Sequence, residues 1–137
     1  MLLNPIYVAG LSQPPAPEKF VAAYIDCALW SSADDEGEPL DSLDLELSPE
    51  ARAAMDGDCA AFIAYCEETG VDPFPDYGHP EYSNLEMSGH DFWLTRNGHG
   101  AGYWDRGLET GEELTRAAKT FGSCGLYVGD DGQIHAS

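Results

Sequence analysis

The chain has 137 residues, with 25 Asp and Glu against 6 Lys and Arg, which gives a formal net charge of −19. Because phosphate recognition needs cationic patches, this imbalance argues against direct binding to nucleic acid or to an anionic membrane surface. It favours a partner protein with a basic surface. Hydrophobic residues make up 43% of the chain, which argues against disorder, and the length predicts a single domain over residues 1–137.

The start of the chain and its four cysteines indicate the compartment. No apolar run approaches the ~18 residues of a membrane span, and the first residues lack the basic and apolar regions of a secretory signal. We therefore expect a cytoplasmic protein in a bacterial cell. Cys59 and Cys66 would lie about 10 Å apart on one helix, too far for a disulfide. Together with Cys27 and Cys124 they are predicted to be free, mostly buried thiols.

The first predicted helix spans residues 18–30. Phe20, Tyr24 and Cys27 recur at the i, i+4, i+7 spacing of a buried helical face, and Pro17 suits a first turn. The Pro-rich residues before this helix, 1–16, are predicted to form an extended lead-in.

The stretch between the first and second helices leaves two interpretations open. It begins with a break rich in small and acidic residues. Leu43, Leu45 and Leu47 then alternate with acidic residues, as in a short strand with one acidic face. Leu40, Leu43 and Leu47 also fit a helical turn.

A second helix is predicted over residues 49–69. Ser48 is a typical N-cap, Pro49 fits the first helical position, and Gly70 is a stop signal. Gly57 inside this helix is a weak point, because glycine costs about 1 kcal/mol relative to alanine in a helix interior.

Residues 90–106 are predicted to form a β-hairpin, preceded by an ordered, Pro-rich loop over residues 71–88. Aromatic runs lie on both sides of Asn97 and Gly98, and an Asn-Gly pair is a strong signal for a tight hairpin turn.

The register of this predicted hairpin defines two cross-strand pairs. Trp93 faces Trp104, and Asp91 faces Arg106. Each pair contributes up to about 1 kcal/mol in an antiparallel sheet. Folding alone would then explain most of the unusual composition of the segment.

The last predicted elements are a third helix over residues 110–121 and a terminal hairpin over residues 126–135, with its turn at Gly129 to Gly132. The predicted fold class is α+β, with three helices packed on a small antiparallel sheet made of hairpins.

One candidate binding surface is acidic. Residues 1–82 carry 17 acidic and 2 basic residues, whereas residues 83–137 carry 8 and 4. Between Asp34 and Glu50 there are eight carboxylates and no Lys or Arg. The predicted binding residues of this stretch are Asp34, Asp35, Glu36, Glu38, Asp41, Asp44 and Glu46.

The other candidate site is the predicted hairpin. Its polar residues are of types that ligate divalent metals or form a general base with an orienting partner. On a hairpin, however, the two histidines would be roughly 20 Å apart, too far to share one metal ion. We predict no metal, no cofactor and no catalytic residue. The residues assigned to binding here are His90, Asp91, Arg96, His99 and Asp105.

Three segments carry a resemblance to other proteins: YIDCALWSSADDEG at residues 24–37, GHDFWLTRNGHGAGYWDRG at 89–107 and LYVGDDG at 126–132. They resemble small acidic proteins encoded by tailed bacteriophages and mobile elements, a group with no established activity. The resemblance implies a phage-type accessory protein that acts in the cytoplasm of a host bacterium.

Charge and size together point to binding of a host protein, with DNA mimicry or inhibition of a defence system as the specific form. A domain of this length has a diameter of roughly 36 Å, and B-form DNA of that length carries about 20 phosphate charges. The alternative is a small enzyme or ligand-binding domain centred on the hairpin between His90 and Arg106. We expect a monomer or a weak dimer.

Overall fold

A computed structural model of the protein describes residues 13–137. The predicted lead-in over residues 1–16 lies largely outside this range, and residues 13–17 have no regular structure. The described part of the chain contains four α-helices, two short strands and two single-turn 3-10 helices at Leu40–Ser42 and Tyr103–Asp105. The helices and strands are α1 (Glu18–Ser31), α2 (Pro49–Glu68), α3 (Asn84–Arg96), α4 (Gly111–Lys119), β1 (Leu126–Val128) and β2 (Ile134–Ala136).

The α+β class is confirmed, but there are four helices rather than three, and β1 and β2 form a single antiparallel pair. The helices over 18–30, 49–69 and 110–121 are found close to their predicted bounds as α1, α2 and α4. At the start of α2 the Ser48 side chain accepts a hydrogen bond from the Ala51 N–H, as its N-cap assignment required. The terminal hairpin is also confirmed, with Leu126 opposite Ala136.

The predicted hairpin over residues 90–106 is wrong. Most of this segment belongs to α3, which begins in the stretch predicted as loop. Ser83 and Glu86 form a capping box, in which each side chain accepts a hydrogen bond from the other residue's backbone N–H. Asn97 and Gly98 end the helix rather than turn a hairpin, and Gly98 has the left-handed φ of +70° that is common just after a helix.

The predicted pairing of Trp93 with Trp104 is therefore wrong as well. Trp93 lies on α3 and is 2% exposed, and its Nε1–H donates to the Ser31 hydroxyl at the end of α1, 2.9 Å away. Trp104 lies in the second 3-10 helix and is 53% exposed.

The core lies between α1, α2 and α3 and is aromatic. The rings of Phe62 and Phe92 stack with centroids 4.1 Å apart, and the Tyr24 ring also stacks on Phe92, with centroids 5.1 Å apart. Gly89 lets α1 and α3 approach closely, because a Cβ at this position would overlap the carbonyl oxygen of Phe20.

Arg96, one of the predicted binding residues, is 7% exposed, and its guanidinium forms hydrogen bonds within the protein. Its Nη1 donates to the Asp58 carboxylate of α2 at 2.7 Å and to the Tyr24 hydroxyl of α1 at 2.9 Å. The Nε and Nη2 atoms donate to the carbonyl oxygens of Gly122 and Phe121 after α4. One guanidinium thus joins three helices and the chain that leads into β1.

Residues 32–48, here called the acidic loop, are ordered by local bonds. Leu40 is 1% exposed, and its N–H donates to the Ser32 carbonyl. The predicted strand over 43–47 is wrong, because only Leu47 makes a strand-type contact, an isolated bridge to Ile134. The helical alternative is closer, since a single turn forms at Leu40–Ser42.

None of the helices within residues 13–137 has the length and apolar character needed to cross a membrane.

Gly89→Ala is expected to destabilise the protein by about 2 kcal/mol or more, because the new methyl group forces α1 and α3 apart. Gly57→Ala is the matched control within α2, where a Cβ meets no atom within 4 Å. That change should stabilise the protein by about 0.5–1 kcal/mol through helix propensity. Urea unfolding measures both, and a stabilising Gly89→Ala would contradict the close helix approach.

Candidate functional site

Two adjoining cavities lie along the seam between α1 and α3, and both are lined by Asp26 and His90. The first, the Tyr82 cavity, measures about 440 Å³. The second, the Trp30 cavity, measures about 380 Å³ and reaches Asp41 of the acidic loop. Together the two cavities extend along α3 to Asp41 of the acidic loop.

Helix geometry places the side chains that line this seam. Asp26 and Trp30 are four residues apart on α1, and Glu86 and His90 are four residues apart on α3, so each pair projects from one side of its helix. Ala23 and its neighbour on α1 are small, which leaves the Tyr82 cavity open between the two rows.

Asp91 fixes the position of Arg106 beside the Tyr82 cavity. The Asp91 side chain is fully buried and accepts from both Nη2 and Nε of Arg106, at 2.7 Å and 3.1 Å. The Tyr77 hydroxyl donates to the same carboxylate at 2.9 Å. The predicted Asp91–Arg106 pair is therefore present, although it joins a helix to a turn rather than two strands.

The charge-assisted bonds to Asp91 raise the pKa of Arg106 above its ordinary value, so the guanidinium is permanently charged. Burial, followed by the nearby Asp91 charge, raises the pKa of the Tyr77 hydroxyl, which therefore stays protonated as a donor. Both groups are therefore engaged by Asp91 and help to fix the wall of the Tyr82 cavity.

His90 is half-buried at the junction of the two cavities, with its ring centroid 6.4 Å from that of Trp30. Loss of hydration lowers the pKa of His90 below its ordinary value; the Asp91 carboxylate opposes this shift and the Arg106 guanidinium adds to it. The imidazole is therefore neutral near pH 7.

His79 borders the Tyr82 cavity and is held by its own loop. Its Nδ1 accepts from the N–H groups of Glu81 and Tyr82, at 3.0 Å and 3.2 Å. Its ring lies 5.0 Å from the Tyr82 ring, which is 53% exposed.

The acidic loop presents its carboxylates on an ordered turn. The Asp34 carboxylate accepts from the N–H groups of Glu36 and Glu38, so it holds the turn and is only partly exposed. The remaining predicted binding residues of the loop are exposed: Asp35, Glu36, Glu38, Asp41, Asp44 and Glu46.

The exposed carboxylates of the acidic loop form no ion pair with a basic side chain in the described part of the chain. Across residues 13–137, the ion pairs involve only acidic residues outside the loop. These are Asp56, Asp58, Asp91, Asp105, Glu112 and Asp131.

The structure brings together only part of the second predicted set. His90 lines both cavities and Asp91 supports Arg106, as described above. Asp105 lies 3.8 Å from Arg106 and accepts from the Gly102 N–H, whereas His99 is exposed beyond the end of α3. In the described part of the chain, no group of three or more His, Cys, Asp or Glu side chains is placed to hold a metal ion.

The four cysteines are free thiols, as predicted. Cys27 lines the Trp30 cavity, and burial raises its pKa to about 12. Burial also raises the pKa of Cys66 to about 12. A thiolate is the nucleophilic form of cysteine, so these thiols are unreactive near pH 7.

Trp30 and Asp26 were missed by the sequence interpretation. At about 100° per residue, Trp30 falls on the same side of α1 as Lys19 and Asp26, away from the Phe20 and Tyr24 stripe. A large aromatic residue on the polar side of a helix was the available signal, and Trp30 is indeed 63% exposed.

Comparison of the chain with protein-family models, with curated proteins and with solved structures gave no match.

Arg106→Gln is expected to destabilise the protein by about 3–5 kcal/mol, because it leaves the buried Asp91 carboxylate without its cation. Arg52→Gln is the control, since Arg52 and Asp56 form an ion pair that is about half exposed. That change should cost less than about 1 kcal/mol. Chemical denaturation distinguishes them, and similar losses would argue against a structural role for the Asp91–Arg106 pair.

Stability is expected to fall as the pH drops below about 6.5, in part through His90. Since the folded state lowers the pKa of His90, the unfolded chain binds the proton first, and acid favours unfolding. His90→Gln should make this fall shallower, whereas His99→Gln, at an exposed position, should leave it unchanged. Denaturation midpoints between pH 5 and pH 8 test this, and identical slopes for all three proteins would refute it.

Proposed function

We propose that this protein is a binding module that engages a basic surface on a protein of the bacterial host. The observation that carries the proposal is the acidic loop, whose exposed carboxylates form no ion pair within the described residues and whose first turn is held by Asp34. An unpaired array of like charges attracts an opposite one and is a source of self-repulsion in the free protein.

The shape of the loop supports recognition rather than solubility alone. Leu40 anchors its middle in the core, and backbone bonds pair Asp34 with Glu38. The carboxylates are therefore pre-positioned, which reduces the entropy lost when a partner binds. A charge run that served only solubility would need no such fixed arrangement.

The polar groups of the α1–α3 seam also favour binding over catalysis. Arg106 and Tyr77 are engaged by Asp91, and Arg96 is engaged by Asp58. These pairs stiffen the framework that holds the surface. In this proposal the protein is not an enzyme. Residues 90–106, which the sequence predicted as a hairpin, support the binding surface.

The phage resemblance extends the proposal to a biological setting. We propose an accessory protein of phage type that acts in the host cytoplasm and occupies the DNA-binding surface of a host defence protein. The net charge of −19 is comparable to the charge of a DNA segment as long as the domain is wide. Monomeric or weakly dimeric protein would suffice for this role.

The test uses a variant that removes four exposed charges and keeps Asp34, because Asp34 holds the turn. The substitutions are Asp35→Asn, Glu36→Gln, Glu38→Gln and Glu46→Gln. A matched control removes four exposed carboxylates elsewhere: Glu68→Gln, Glu81→Gln, Glu109→Gln and Asp130→Asn.

We expect host proteins captured on the unaltered protein to associate more slowly with the loop variant, at least about tenfold at low salt, with a flatter salt dependence. The control should change both much less, and duplex DNA should compete with the captured partner. Association kinetics at several salt concentrations measure this. Equal rates for the two variants would show that the loop is not the contact surface, and failure of DNA to compete would refute mimicry.

A further inference from the structure

We propose that the Trp30 cavity is a pocket for an arginine side chain of the basic partner. This inference rests on the proposed function and specifies where on the surface an arginine of the partner binds. The cavity measures about 380 Å³ and combines an exposed indole with the carboxylates of Asp26 and Asp41.

The walls of the pocket come from three elements: α1, the acidic loop, and α3, which contributes His90. Asp26 and Trp30 project from α1, whose end is fixed by the bond between the Ser31 hydroxyl and Trp93. Asp41 follows the buried Leu40, whose N–H bonds to the Ser32 carbonyl. Two carboxylates from separate elements thus border one cavity beside the same indole.

The charges in this cavity have one sign. The two cations of the adjoining Tyr82 cavity, Lys19 and Arg106, do not line the Trp30 cavity. His90, which borders both, is neutral near pH 7 because it is desolvated. A cation entering beside Trp30 therefore meets two carboxylates and no positive side chain that lines the cavity.

Arginine fits this chemistry better than lysine. A guanidinium is planar, stacks on an indole face and donates paired hydrogen bonds to carboxylates. Trp30 is 63% exposed, so much of its ring is open to such stacking. A nucleic-acid base could also stack on the indole, but its phosphates would be repelled by Asp26 and Asp41.

The probe is a tetra-arginine peptide with blocked ends, titrated at low salt into the full chain labelled with nitrogen-15. We expect the Trp30 indole N–H resonance to shift, while that of Trp104 stays in place. Trp30→Ala should weaken binding about fivefold, as expected for loss of a cation–π contact, and Trp30→Phe by less. Trp104→Ala is the control, since its indole is also exposed and does not line the cavity.

The carboxylates are tested by the double variant Asp26→Asn and Asp41→Asn. Its control, Glu109→Gln with Asp130→Asn, removes the same number of charges from exposed positions that do not line the cavity. Only the first variant should weaken the peptide by about fivefold or more. Tetra-lysine should bind more weakly than tetra-arginine, and equal affinities would refute the preference for arginine.

Failure of the pocket and failure of the proposed function give different results. If the Trp30 variant binds tetra-arginine as tightly as the Trp104 variant does, the arginine pocket is refuted. The proposed function survives that result if the four-charge loop variant still slows association with the captured partner. If neither set of changes affects binding, both proposals are wrong.

Discussion

The close approach of α1 and α3 at Gly89 is the constraint on which the other features depend. With no side chain at this position, the α3 backbone packs against the Phe20 carbonyl of α1. The same approach allows Trp93 to reach the hydroxyl at the end of α1, and it brings His90 beside Trp30. Wider spacing would separate the two rows of side chains that form the seam.

Two buried ionic residues on α3 then connect the helix to the rest of the molecule. Asp91 binds Arg106 and Tyr77, which fixes the turn after α3 and the loop before it. Arg96, five residues further along α3, binds Asp58 of α2 and the carbonyl oxygen of Phe121. Buried ion pairs add little net stability, but each leaves few other arrangements for the elements it joins. We attribute the fixed geometry of the α1–α3 seam to this restriction by the ion pairs of Asp91 and Arg96.

Capping residues and hydrophobic periodicity predicted α1 and α2 correctly. They failed for α3, which is buried on more than one side. Capping at Ser48 and the periodic face of α1 gave correct helices. The second half of α3 is buried on nearly all sides, so it has no apolar stripe and lacks the helical period. An Asn-Gly pair is compatible with a hairpin turn and with a helix end, and the capping box from Ser83 to Glu86 was the signal that separates them.

The candidate site could be predicted only in part for a related reason. The acidic loop was visible as a run of charge, and the Asp91–Arg106 pair was expected, although on the wrong scaffold. The seam itself depends on which helices touch, and no local pattern encodes that contact. Four of the six basic residues form ion pairs outside the acidic loop, with Asp56, Asp58, Asp91 and Glu112 as their main partners. The folded chain thus uses most of its cations in ion pairs outside the acidic loop, which leaves the negative charge of the loop uncompensated by internal ion pairs. Salt screens that charge with two opposite effects: it relieves repulsion within the free protein, and it would weaken attraction to the proposed basic partner.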